Sequence, residues 1–258
     1  MNLKIVNIRK RFMESNILFQ SESSKAIKAA IQAVRHHRDA LKKYILVNPK
    51  FHYSLKPVSV EEKAPRIVKI MAESSLLANV GPMAAVAGAL ADLAVETMGE
   101  LNASIAIVEN GGEVSASSNE SFIVGLYAGK TVFSDSIGFL IHPYDSPIGI
   151  ATSSATISHA LSFGEADAVT IFADTSAFAD AVATTICNIV RGENIEASIQ
   201  QGLKTVKRLK TLIRGAIIIR GKYIGVVGRL PKFVNINGGT ESRELSVSEA
   251  LSSKNILT

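Results

Sequence analysis

The chain has one cysteine, Cys187, and no tryptophan among its 258 residues. A lone thiol forms no internal disulfide, and without Cys-x-x-Cys or a Cys/His cluster there is no zinc or iron–sulfur signature. A reducing cytoplasmic setting is therefore expected, with Cys187 in the core. Neither GxGxxG nor a P-loop is present, so a standard nucleotide-binding fold is not supported. The opening MNLKIVNIRKRF carries charge throughout and has no apolar run of signal-peptide type. The longest uncharged run, residues 74–91, just reaches spanning length. It is built largely of Ala, Gly and Ser and is broken by Gly81-Pro82, so it reads as a packed interior helix and no membrane partner is expected.

What is present is a mildly basic chain, net charge +5, long enough for a sizeable core. Basic residues gather at 9–11, 35–43 and 204–214, without interleaved aromatics or a nucleic-acid motif. They read as solvated faces, and a nucleic-acid partner is not expected. Self-association is left open.

The patterning alternates between strand and helix. Residues 3–12 and 16–21 read as a hairpin. Ser23 or Ser24 caps a long helix to Asn48, and 65–78 shows helical spacing again. Gly81-Pro82 starts a further buried helix to about Glu100. From Ala103, SIAIVENGG, SFIVGLYAG and SIGFLIHP are short strands closed by Gly or Pro. A strand at 168–173, helices at 175–191 and 195–208, and a hairpin turning at Gly221-Lys222 follow. The expectation is an α+β fold with mixed sheets and packed helices, one domain over 1–240 and a poorly ordered polar tail over 241–258.

The chemistry concentrates in four segments. In DAVTIFADTSAFADAVATTICN, Asp180 and Thr184 lie four apart on one helical face. A carboxylate and a hydroxyl so placed suit a magnesium ion that keeps waters and shares a phosphate. The competing reading makes Asp180 a solvated helix position, with Asp174, Thr175 or Ser176 as the helix cap. ENGGE, residues 109–113, ends a strand with two glycines that permit close ligand approach or simply a turn. GPMAAVAGALAD, residues 81–92, offers a helix start and small-residue packing. IGIATSSATISHALSFG, residues 148–164, gathers Thr152, Ser153, Ser154, Thr156 and Ser158 with His159, for a polar ligand or for backbone hydrogen bonding.

In order and motif these four segments resemble the ApbE-like superfamily, whose best-known members are FAD:protein FMN transferases. The resemblance is closest to a shorter branch of that superfamily that lacks the full set of transferase motifs. It spans roughly residues 80–190. It implies magnesium held by Asp180 and Thr184, with Ala181 between them completing the Asp-Ala-x-x-Thr motif. It implies FAD or FMN, or another phosphorylated small molecule, contacted by Asn110, Gly111 and Gly112 and by Thr152 and Ser153. His159 takes the position of the base. Where the transferases carry Lys-Gly-Tyr this chain has Ala87, Gly88 and Ala89, so Gly88 alone remains as a flavin-site residue, and Asp92 falls where their aspartate does. The His-x-x-Asp-Pro loop is replaced by His159 and ALSFG. The implied activity is magnesium-dependent transfer at a phosphate. A role in sulfur assimilation, such as homocysteine formation, and a non-catalytic ligand-binding subunit are the alternatives.

Overall fold

The structure is a computed structural model describing residues 4–13, 15–126, 137–155, 163–209, 211–236, 243–245 and 255–257. In chain order its elements begin with β1 (Val6–Phe12), β2 (Ser15–Ser21), α1 (Ser24–Val47), α2 (Pro49–Tyr53) and α3 (Arg66–Ala78). A 3-10 turn (Pro82–Ala85) leads into α4 (Val86–Glu100), followed by β3 (Ile105–Asn110), β4 (Glu113–Ser118), β5 (Phe122–Gly125), β6 (Ile137–Ile141) and β7 (Ile148–Ser153). Then come β8 (Ala168–Ala173), α5 (Ser176–Ile189), α6 (Ile195–Arg208), β9 (Ile213–Arg220), β10 (Tyr223–Gly228), β11 (Lys232–Asn235), β12 (Arg243–Leu245) and β13 (Asn255–Leu257). The class is α+β, with mixed sheets and packed helices. Contacts group into two units: Met1–Asn119 with Ser146–Ala151 and Ala173–Thr185, and the remainder of the chain.

In the first unit β1, β2, β3 and β4 run antiparallel in sequence order, and β4 pairs with β7 through Val114–Ile150. Ser23 caps α1 as expected, its hydroxyl accepting the Ala26 N–H at 3.2 Å. Ala26, Ile27, Ala30, Val34 and Leu41 bury one face of that helix. Helix α4 packs on β3 and β4 and against α1. Its buried Ala89, Leu90, Ala91, Leu93, Ala94 and Met98 carry out the close packing that its small residues predict. The helix opens with a 3-10 turn, since Pro82 supplies no N–H. Helix α2 escaped the sequence reading. Five residues, Pro49–Tyr53, are too few to show a period.

In the second unit β9 and β10 form the expected hairpin, with Gly221 at φ 59°. β5, β6, β11 and β12 make a four-stranded sheet. Phe139 stands edge-on to Phe172 and Phe233, ring centroids 5.0 and 5.4 Å apart, which anchors that core. Cys187 is buried, as expected. Inside the expected tail, β12 and β13 pair with β11 and β10, whose exposed edges offer backbone partners. Among the described residues no single helix is long and apolar enough to cross a membrane.

Candidate functional site

The first unit brings the N-termini of α4 and α5 together. Gly88 makes this possible: a Cβ there would lie 2.3 Å from the Ser176 carbonyl oxygen and 2.6 Å from the Ala177 nitrogen. Only a residue without a side chain lets the two helices approach so closely.

Each helix then caps the other. Asp92, in the second turn of α4, accepts the Ser176 N–H at 2.9 Å and the Ala177 N–H at 2.8 Å with its two oxygens. Asp180, in the second turn of α5, accepts the Gly88 N–H at 3.1 Å, with a further backbone bond from Ala87. Unpaired N–H groups at a helix start carry partial positive charge and favour carboxylates. The start of α5 thus has a bidentate acceptor in Asp92 across the helix pair, a contact that the sequence reading of Asp174, Thr175 or Ser176 as the cap does not include. Asp180 is likewise no solvated position, being 7% exposed.

The strand-end glycines join the same corner. Asn110 and Glu113 are paired across the β3–β4 turn, in which Gly111 and Gly112 take φ of 76° and 132°, values L side chains rarely adopt. The buried Asn110 carboxamide donates to the Ala87 carbonyl at 3.1 Å, tying this turn to the start of α4. Ser176 is buried, and its hydroxyl has no hydrogen-bond partner among the described residues.

Electrostatically the corner is one-sided. Burial pushes Asp180 up to about 7, and the charge of Asp92 adds to the rise against the opposing Gly88 and Ala87 N–H bonds. Burial also raises Asp92, although bonds from Ala177, the Ser115 hydroxyl and Ser176 oppose it. Glu113, partly buried, is raised well above the usual carboxylate range, first by burial and then by the charge of Asp180. Among the described residues no lysine, arginine or histidine forms an ion pair with any of the three. Nor do three His, Cys, Asp or Glu side chains there group as a metal cage. One carboxylate with a hydroxyl one turn on at Thr184 is the donor set magnesium takes when phosphate and water complete its shell.

The sequence candidates thus divide. Gly88, Asn110, Gly111, Gly112 and Asp180 come together at this corner, with Thr184 on the Asp180 face of α5. Thr152 and Ser153 belong to the second unit, where the Thr152 hydroxyl lies 2.9 Å from that of Thr170. His159, Thr156 and Ser158 lie outside the described residues. Glu113 and Ser176 were overlooked as site residues. Glu113 stood within ENGGE, and its position just after two glycines was the available signal.

Comparison with known proteins gives the family and the fold. A family profile described as AbpE bacteria matches residues 7–219. The chain belongs to the ApbE-like family. A UPF0280 protein of Methanocaldococcus jannaschii is 41% identical over 223 residues, 86% of this chain and 90% of the relative. A UPF0280 protein of Methanopyrus kandleri is 39% identical over 88% of this chain and 92% of its own length. Among solved structures, the flavinyl transferase ApbE of Pseudomonas stutzeri superposes with a TM-score of 0.57 at 14% identity, covering 87% of this chain and 94% of that one. The ApbE protein of Thermotoga maritima gives 0.51 at 13% identity, over 83% and 94%. At such identities these likenesses speak to the ApbE-like fold.

Proposed function

We propose that this ApbE-like chain binds magnesium through Asp180 and Thr184 and uses it to hold the phosphates of a flavin or other nucleotide, as a member of a transferase-like family. The observation that carries the reading is a buried carboxylate, Asp180, set beside two further carboxylates with, among the described residues, no cationic side chain paired to them. Buried charge is ordinarily paired or coordinates a metal. The carboxylate keeps lone pairs beyond the N–H bonds it accepts, and a hard cation with phosphate oxygens and water would complete the set. When bound, magnesium would neutralise charge developing on a phosphate.

The protein's own part is positioning. Gly88 lets α4 and α5 meet, Asp92 fixes the start of α5 four residues before Asp180, and Asn110 holds the glycine turn on α4. Gly111 and Gly112, bare of side chains, let a ligand approach the backbone there. On the resemblance alone, Thr152 and Ser153 are proposed as ligand-contacting residues and His159 as the base. Ala87 and Ala89 replace the lysine and tyrosine that the resemblance places here. Ligand binding is therefore the proposal, and efficient flavin transfer to a protein acceptor is not.

Fluorescence titration with FAD tests this. Magnesium should tighten binding by about tenfold or more, equivalent to about 1.4 kcal/mol, and Asp180→Ala should erase the difference. FAD affinity that is the same in magnesium and in a chelator would sink the proposal.

A further inference from the structure

The corner formed by the end of α1, α2 and the segment after it is exposed and apolar. Leu46 is 81% exposed, Val47 76%, Tyr53 76% and Leu55 61%. Scattered exposed hydrophobes need no explanation, but four within ten residues do. Four lysines, Lys42, Lys43, Lys50 and Lys56, lie in the same stretch, with no acidic residue between Asp39 and Glu61.

The exposure is built in by a pinned backbone. Phe51 is buried, its ring edge-on to Tyr44 with centroids 5.4 Å apart. The Ser54 N–H donates to the Lys50 carbonyl at 3.0 Å, and the Ser54 hydroxyl donates to the Lys56 carbonyl at 2.7 Å while accepting the Lys56 N–H at 3.1 Å. A Cβ on Gly81 would fall 1.9 Å from the Ser54 carbonyl oxygen, so the backbone beyond α3 lies directly against this corner. The end of α3 adds Leu76 and Leu77, both exposed.

We propose that this corner docks on a membrane surface rich in anionic lipid. The charge is complementary: four exposed lysines are interleaved with the apolar residues along this stretch, against one carboxylate, Glu61, that acts on Tyr44, and a negative headgroup layer attracts them while Leu46, Val47, Tyr53 and Leu55 enter the acyl boundary. Lysine stems follow the apolar side chains inward and keep their ammonium groups at headgroup level, where tyrosine is also favoured. A protein partner fits less well, since lysine is depleted at protein interfaces. Self-pairing through a two-fold axis would set the same lysines against each other. No membrane partner is expected from the sequence, for lack of a spanning segment; docking here departs from that expectation, since this surface would lie on the bilayer rather than across it.

The full chain should sediment with vesicles of an equal mixture of phosphatidylcholine and phosphatidylglycerol, and far less with phosphatidylcholine alone. Added salt should weaken the binding. Leu46→Ser with Leu55→Ser should abolish it, and Lys50→Gln with Lys56→Gln should reduce it, all with an unchanged melting temperature because these side chains are exposed. Absence of sedimentation with the anionic vesicles would overturn the proposal. So would binding indifferent to the leucine substitutions, or self-association in solution that those same substitutions remove, which would assign the corner to a second copy.

Discussion

Glu22 and Asp180 are both carboxylates of the first unit that accept backbone N–H groups, yet they end with opposite acidities. Glu22 accepts the Ser104 N–H at 2.7 Å, the Ser104 hydroxyl at 2.9 Å and the Ile105 N–H at 3.0 Å. Burial works to raise its pKa, but these bonds prevail and it is lowered. Asp180 accepts from Gly88 and Ala87, lies deeper and faces Asp92, so burial and like charge prevail and it rises to about 7. Hydrogen bonds of the same kind hold an anion only while desolvation and neighbouring charge stay small. Glu22 reads as a structural clasp, whereas Asp180 carries a charge its surroundings do not balance. That imbalance is why the proposed cation is placed at Asp180 and not elsewhere in the unit.

The comparison breaks most severely if the helix contact is lost. Gly88→Leu forces a side chain into the Ser176 backbone and should cost about 3 kcal/mol, or prevent folding, by overpacking against atoms that cannot yield. Urea unfolding measures it, and a melting curve like that of the parent would mean that α4 and α5 are not in this contact. Asp92→Ala should cost about 1–2 kcal/mol by leaving the Ser176 and Ala177 N–H groups without an acceptor. The same change removes a negative neighbour, so the Asp180 pKa, followed by carboxyl NMR in the less drastic Asp92→Asn, should fall.

A pH series sharpens the contrast with a smaller effect. Asp180 has a raised pKa in the native state, which therefore holds more protons than the unfolded chain between about pH 4 and about 7. Its contribution makes metal-free stability fall as pH rises through that window. Glu22 has a lowered native pKa, so its contribution is present above the unfolded carboxylate range and is lost as pH falls through the native value. Asp180→Asn should flatten the first slope and Glu22→Gln the second. Identical slopes in the two variants would show that the carboxylates are not distinct.

Much of the scaffold was legible because its signals are local. Ser23 at a helix start, the helical spacing of Ile27, Ile31, Val34, Leu41 and Ile45, and the glycine pair between β3 and β4 each act within a few residues. The Asp180–Thr184 spacing was legible for the same reason. The reciprocal caps were not, since Asp92 and Ser176 are 84 positions apart and nothing near either announces the other. The upward shift of Glu113, by burial and then by Asp180, and the orphaned Ser176 hydroxyl likewise arise from packing between segments far apart in the chain. Helix α2 was hidden by its shortness, and its exposed leucines and tyrosine acquire meaning only once Phe51 is seen to be the buried member of that turn.

The central claim is that the unbalanced charge at Asp180 is a cation site, and calorimetric titration of the purified chain with magnesium in the presence of FAD, at pH 6 and pH 8, tests it most directly. With a native carboxyl pKa of about 7, metal competes with a proton at the lower pH, so affinity should be about tenfold weaker there and level off above neutrality. Asp180→Asn should remove both the affinity and its pH dependence. Equal magnesium affinity at the two pH values, retained in Asp180→Asn, would contradict the account.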